Sequence, residues 1–386
     1  MAETYDLDAA KGLAALEAEL AATTAPTPPE TFALGAVRFL RAVEGSLQAR
    51  YRSNAAVGAE WMPVPILRLP FDPNPDPEPF RPEMIRTLFE DLTAGMETAR
   101  ATLETADLGA GDGVRVDLTQ LWFDVDGDGA RGDDEGLLFI VAASLADPLF
   151  LRVEPGQLSE GLFVRFDAAD VDWFVAYTHF LSAVSEVVLA FDPTDTIRRV
   201  NESRDAMAEL RGFSMPQDAL LGPDGGAYAD AFATIYGALN RVPDQPHLAA
   251  VRDHLLGMIR ANRAFWTSVN AETDDEGEWI PNGAQTAALG FAMPPDTGDV
   301  WLAVLDDAEA VLTGDLLFGH WRLGRGAGVN VAKLIDNPPA VDIVTWMQGE
   351  GLVPYMEKGR VASWQNTQRF MSMFQGDALL FMVLLN

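Results

Sequence analysis

A chain of 386 residues, 48% hydrophobic and 22% charged, has ordinary globular composition; its length allows two domains or one extended helical array and excludes a disordered or collagen-like chain. The 58 acidic against 27 basic residues give a formal net charge of -31, which repels nucleic-acid phosphates and anionic lipid headgroups and removes both as expected partners. No cysteine is present, so disulfides, thiolate metal sites and cysteine nucleophiles are excluded together.

Helical periodicity appears at 7–22, where Leu13, Leu16 and Leu20 recur at three- and four-residue steps. The proline-dense run 23–29 ends it, and Pro29 pre-sets the first turn of a helix over 30–52 with Phe32, Phe39, Leu40, Val43 and Leu47 on one face. These two elements predict a helical hairpin. Prolines recur through 62–82 and force extended backbone, predicting a stiff strap laid across the helices through Trp61, Ile66, Leu67, Phe71 and Phe80. Helical pattern resumes over 83–106, and the glycine-rich turn 109–113 closes it.

Residues 114–118 alternate as a strand and lead through Leu121, Trp122 and Phe123 into an acidic loop. The apolar run 137–146 fits a buried helix or a strand equally, and 162–166 reads as another short strand. Asp167, with Asp170 three residues on, caps a helix to about residue 190. The glycine, proline and acid mixture of 212–226 is the candidate linker between an N-terminal region, 1–211, and a C-terminal region, 227–386. Helices follow at 228–240, 246–268, 299–312, 340–349 and 363–374, with apolar closure over 378–385 and a second acidic loop at 272–283.

The fold class is therefore mainly α, a multi-helix array of helical hairpins with a few short strands around the first acidic loop. Successive amphipathic helices are compatible with a solenoid, although no 30- to 50-residue consensus recurs. No apolar run is expected to reach the ~18 residues of a membrane span, the best candidate, 378–385, being far too short. The opening Met1-Ala2-Glu3-Thr4-Tyr5-Asp6 has neither a basic nor an apolar leader region, which fits a cytosolic chain or a mature exported chain behind an initiator Met.

Residues 124–135 read DVDGDGARGDDE. Calcium takes six to eight oxygens, and a loop of twelve residues wraps it with oxygens at positions 1, 3, 5, 7, 9 and 12. Asp124, Asp126, Asp128 and Glu135 fill positions 1, 3, 5 and 12; Gly129 provides the sharp turn at 6, Ala130 a carbonyl at 7, and Gly132 leaves room for a water at 9. This segment resembles the EF-hand calcium loop. The resemblance implies Asp124, Asp126 and Asp128 as monodentate ligands, Ala130 as a carbonyl ligand and Glu135 as the bidentate closing ligand. A strand stands where the family has an entering helix, which points to a single structural loop of dockerin-like type rather than a paired switch. The chain as a whole resembles helical bacterial proteins, a likeness that brings no activity with it.

His179, His247, His254 and His320 lack the i, i+4 pairing of helical zinc sites and read as core or surface residues; His179 and Glu186 share one helix face two turns apart. No nucleophile elbow and no Walker glycine loop occurs. The second acidic loop reads first as a solvated hairpin, yet Asp274, Asp275 and Glu278 beside an exposed Trp279 would suit a sugar or a cationic ligand. The functional expectation is a calcium-binding, non-enzymatic protein of the periplasm or beyond, with calcium in a structural role and a protein or carbohydrate partner. The alternative is a calcium-stabilised hydrolase.

Overall fold

The computed structural model describes residues 3–54, 71–144, 160–211, 225–374 and 378–385, and they are mainly helical. The chain begins with strand β1, Thr4–Leu7, and a 3-10 turn, Ala9–Lys11, so helix α1 is Leu13–Ala22 rather than a helix from residue 7. The reason is tertiary. Thr4 to Leu7 pair in parallel with strand β2, Gly113–Asp117, in the register Thr4 with Gly113 and Leu7 with Val116. The ladder over more than a hundred residues outweighs the local helical pattern.

Helix α2, Pro28–Arg52, starts on a capping box: the Thr27 hydroxyl accepts from the Glu30 N–H, and the Glu30 carboxylate accepts from the Thr27 N–H at 2.8 Å. Of the proline strap only its end is described. Phe71 packs partly buried against the core and Phe80 is exposed, whereas Trp61, Ile66 and Leu67 lie outside the described residues. Helix α3 is Glu83–Leu103. The ambiguous run after the first acidic loop is a helix, α4, Leu137–Ser144. Strand β3, Phe163–Phe166, pairs antiparallel with β2 and completes a three-stranded sheet of order β1-β2-β3.

Helix α5, Ala168–Phe191, is the axis of the molecule. Asp167 caps it through the Ala169 N–H at 2.9 Å, and Asp170 reaches back to the Asp167 N–H at 2.9 Å. Among the described residues α5 alone is long and apolar enough to cross a membrane by length and composition, yet most of it is buried inside the protein. It packs on one side against α3 and along its other side against α8, Gln245–Val269. Small hydroxyl residues Thr178, Ser182 and Ser185, all fully buried, line α5.

Between them come α6, Thr194–Arg211, and α7, Gly225–Leu239; residues 212–224 of the candidate linker lie outside the described residues. Beyond α8 the chain forms α9, Thr297–Thr313, and α10, Val331–Asp336. Helix α11, Ile343–Gln348, opens at Asp342, whose carboxylate accepts from the Val344 N–H at 2.9 Å, and α12, Gln365–Phe374, and α13, Ala378–Leu384, follow. A second ribbon pairs β4, Ala327–Val329, antiparallel with β5, Met356–Lys358. The principal core draws on residues from Ala9 to Leu385, so both halves of the sequence contribute to it.

Candidate metal centre and a second acidic cluster

The first acidic loop joins β2 to α4. Its two ends are tied together: Phe123 N–H donates to the Glu135 carbonyl at 2.9 Å and Leu137 N–H to the Leu121 carbonyl at 2.8 Å, with a bridge between Trp122 and Gly136. Helix α2 grips the first loop residue from both sides. Asp124 N–H donates to Glu44 Oε2 at 2.9 Å, and Gln48 Nε2 donates to the Asp124 carbonyl at 2.6 Å. Glu44 is buried and ion-paired with Arg41 on its own helix. The loop therefore hangs from the helical core by backbone bonds.

Inside the loop Asp124, Asp126 and Asp128 each accept from a backbone amide. Asp126 Oδ1 accepts from Asp128 N–H at 3.0 Å, Asp128 Oδ1 from Ala130 N–H at 2.7 Å, and Asp124 Oδ1 from Gly129 N–H at 3.3 Å. Gly127 and Gly129 sit at φ of 79° and 77°, the left-handed backbone that folds the chain back between the aspartates. Asp124, Asp126 and Asp128 each offer one oxygen, all within 4.8 Å of one another, and could hold a metal ion. Oxygens at 2.3–2.6 Å from a calcium ion lie at most ~5 Å apart, so the spacing fits that coordination sphere.

Glu135 is brought to the loop but stands outside this group. It is 4% exposed; Oε1 accepts from Val125 N–H at 2.7 Å and from Asp126 N–H at 3.4 Å, and Oε2 accepts from Gly132 N–H at 2.7 Å. Burial pushes its carboxyl above the usual glutamate range, against the pull of these three amides. In this arrangement Glu135 clasps the loop backbone, and to close on an ion it would trade amide bonds for the ion. Ala130 N–H is engaged by Asp128.

The second acidic loop does not assemble as a platform. Asp275 is a hairpin staple, accepting from Thr286 N–H at 2.7 Å and from the Thr286 hydroxyl at 3.3 Å. Trp279 is partly buried, with its ring 5.6 Å from Phe166 and 5.4 Å from Trp173, so the exposed tryptophan expected from the acidic surroundings is a wall of the core instead. Asp274 lies 3.9 Å from Arg165 of β3. Glu278, 6% exposed, accepts from Glu276 N–H at 2.9 Å.

Glu278 joins Asp167, marked in the sequence only as a helix cap, and Glu272, the first residue of the second acidic loop. One oxygen each of Asp167, Glu272 and Glu278 lie within 4.8 Å of one another, at the N-terminus of α5. Burial, and after it the neighbouring Asp167, raises Glu272 to about 7, and burial raises Asp167 and Glu278 as well. Asp170, buried behind them, is raised well above the aspartate range for the same reason. Arg165 is the local countercharge, 3.7 Å from Asp167 and 3.6 Å from Glu276. These carboxyls came together through tertiary packing of a strand end, a helix cap and a loop.

The histidines also meet across helices. His179 Nδ1 of α5 and His254 Nδ1 of α8 are 3.0 Å apart, and His247 Nδ1 is 2.5 Å from Glu186 Oε2. Burial lowers His179 to about 3 and lowers His254 as well, which favours neutral rings at this contact. Fold and site together define a mainly α protein carrying a three-aspartate loop suited to a metal ion. Compared with known proteins, the chain matches no family model, no curated protein and no solved structure.

Proposed function

We propose that this chain is a calcium-binding protein in which the ion fixes the loop between β2 and α4. The observation that carries the reading is the convergence of Asp124, Asp126 and Asp128, whose carboxylates repel one another at this range unless a cation neutralises them. Asp124, Asp126 and Asp128 would supply side-chain oxygens and Ala130 a carbonyl, and Glu135 would close the site after releasing backbone amides. A bound ion supplies positive charge to that cradle; Glu44 and Gln48 hold Asp124 in place for it. A single loop of this kind belongs to the weak range of extracellular modules, ~10⁻⁴ to 10⁻³ M, which supports a working site in a periplasm or outside the cell and a binding or scaffold role toward a protein or carbohydrate.

Calcium that binds the folded state alone stabilises it by about 2.7 kcal/mol at a hundredfold excess over Kd. Metal-stripped protein should therefore melt higher in millimolar calcium than in chelator, with magnesium giving less. Equal melting temperatures, together with no bound ion by elemental analysis, would refute the reading.

The Glu272 carboxyl, raised to about 7 within a cluster of acids, supports one alternative, a calcium-stabilised hydrolase using Glu272 as general acid. Turnover of any member of a panel of chromogenic glycosides, esters and peptides, lost in Glu272→Gln, is the result that would favour it.

A further inference from the structure

A cavity of about 370 Å³ opens between α5, α8, α9, α12 and α13. Its floor is the core itself: Met258, Trp301 and Leu305 line it and are each less than a tenth exposed. Its mouth carries Phe318 and Trp364, 42% and 55% exposed, edge to face with ring centroids 5.6 Å apart. Protein interiors leave few voids larger than a water, and spaces of ~300 Å³ upward are the size that small ligands occupy.

Among the described residues the one charged group lining the cavity is Asp307. Its Oδ2 accepts from Asn366 Nδ2 at 2.8 Å, and among the described residues no arginine or lysine stands within ion-pair distance of it; the nearby Arg263 pairs with Asp306 and Glu309. A carboxylate oriented by an amide, in a mostly apolar pit whose other polar side chains are the neutral Ser363 and Thr367, beneath two exposed rings, complements a cation attached to a hydrocarbon. Aromatic faces attract ammonium groups and a carboxylate pairs with them, while the same carboxylate, in a chain of net charge -31, rejects anionic amphiphiles such as fatty acids.

We propose that this cavity binds a small hydrophobic amine, its hydrocarbon against Met258, Trp301 and Leu305 and its ammonium at Asp307 near the Phe318–Trp364 mouth. This site is separate from the acidic loop and stands whether or not that loop takes calcium.

The test is titration calorimetry of the whole protein with three probes of equal chain length, octylamine, octanol and octanoate, each below its aggregation concentration. Octylamine should bind saturably with one site and at least tenfold tighter than octanol, and octanoate should not bind. Asp307→Asn should reduce octylamine to the affinity of octanol, and Ala308→Phe, which fills the cavity, should abolish binding of both. Thermal melts establish that each variant is folded. Absence of saturable octylamine binding to the wild-type protein, equal affinity for octanoate, or octylamine binding undiminished in folded Asp307→Asn would each overturn the proposal.

Discussion

At the scale of single residues, Glu135 is the position where local motif and tertiary setting diverge most. As a loop-closing ligand it would matter only when an ion is present. Its carboxylate instead accepts from the amides of Val125, Asp126 and Gly132, and a glutamine there replaces one acceptor oxygen with a donor that faces N–H groups. Glu135→Gln should therefore lower stability by about 1–3 kcal/mol even in chelator, measured by urea denaturation. Asp126→Asn, at an exposed position, should leave the chelated protein within about 0.5 kcal/mol of wild type and remove most of the calcium-induced gain. If the two variants behave alike in chelator, the clasp role of Glu135 is wrong.

Glu272 gives the clearest dependence on pH. Its folded-state pKa is raised, so the native protein holds a proton that the unfolded chain has already released. Its contribution to stability is fully present below the ordinary glutamate range and is lost as pH rises through about 7. Denaturation midpoints measured from pH 5 to pH 8 should fall with rising pH, and Glu272→Gln should flatten that slope. A slope unchanged in the variant would assign the proton elsewhere, to Asp170 or to Asp172, which burial raises to about 6.

At the scale of elements, caps and clamps decide where segments sit. The α5 cap, Asp167, serves the helix and also belongs to the carboxylate cluster. Asn caps a helix as well as Asp does and carries no charge. Asp167→Asn should keep α5 intact by circular dichroism while moving the Glu272 titration, followed by NMR, toward its ordinary range, because one repelling charge is gone. The Asp167–Asp170 cap was legible from spacing alone, as were most helix positions, since prolines, caps and apolar periodicity are local signals. Strand β1 was not legible, because its four residues gain their structure from a partner at 113–117. Glu44 left a weak trace, an acid among the apolar positions of α2 beside Val43, which marks a buried polar group in need of a donor. That donor is the loop amide of Asp124.

At the scale of the whole molecule, α5 and α8 join residues from both sides of the candidate linker in one core. Trp266 of α8 lies against Gly298 of α9, where an added Cβ would stand 2.5 Å from the ring. Gly298→Ala should cost about 1–3 kcal/mol by overpacking. That destabilisation should shift the unfolding of α5, followed through Trp173 environment, together with that of α8, because both helices bury into the same cluster. Two separate transitions, with only the later half of the chain affected by Gly298→Ala, would instead show that the regions on either side of the candidate linker unfold independently.

The sequence by itself determined the mainly α class, the acidic surface and the loop carrying Asp124, Asp126 and Asp128, because helix periodicity, net charge and a turn of alternating aspartates and glycines are encoded within a dozen neighbouring residues. Only the tertiary structure decided that Glu135 turns to the backbone, that Trp279 is walled into the core, that Asp167, Glu272 and Glu278 share one space and that His179 meets His254. The last three outcomes depend on which distant segments pack together and how much water they exclude, and burial and contact across 75 to 111 positions leave no mark in local spacing.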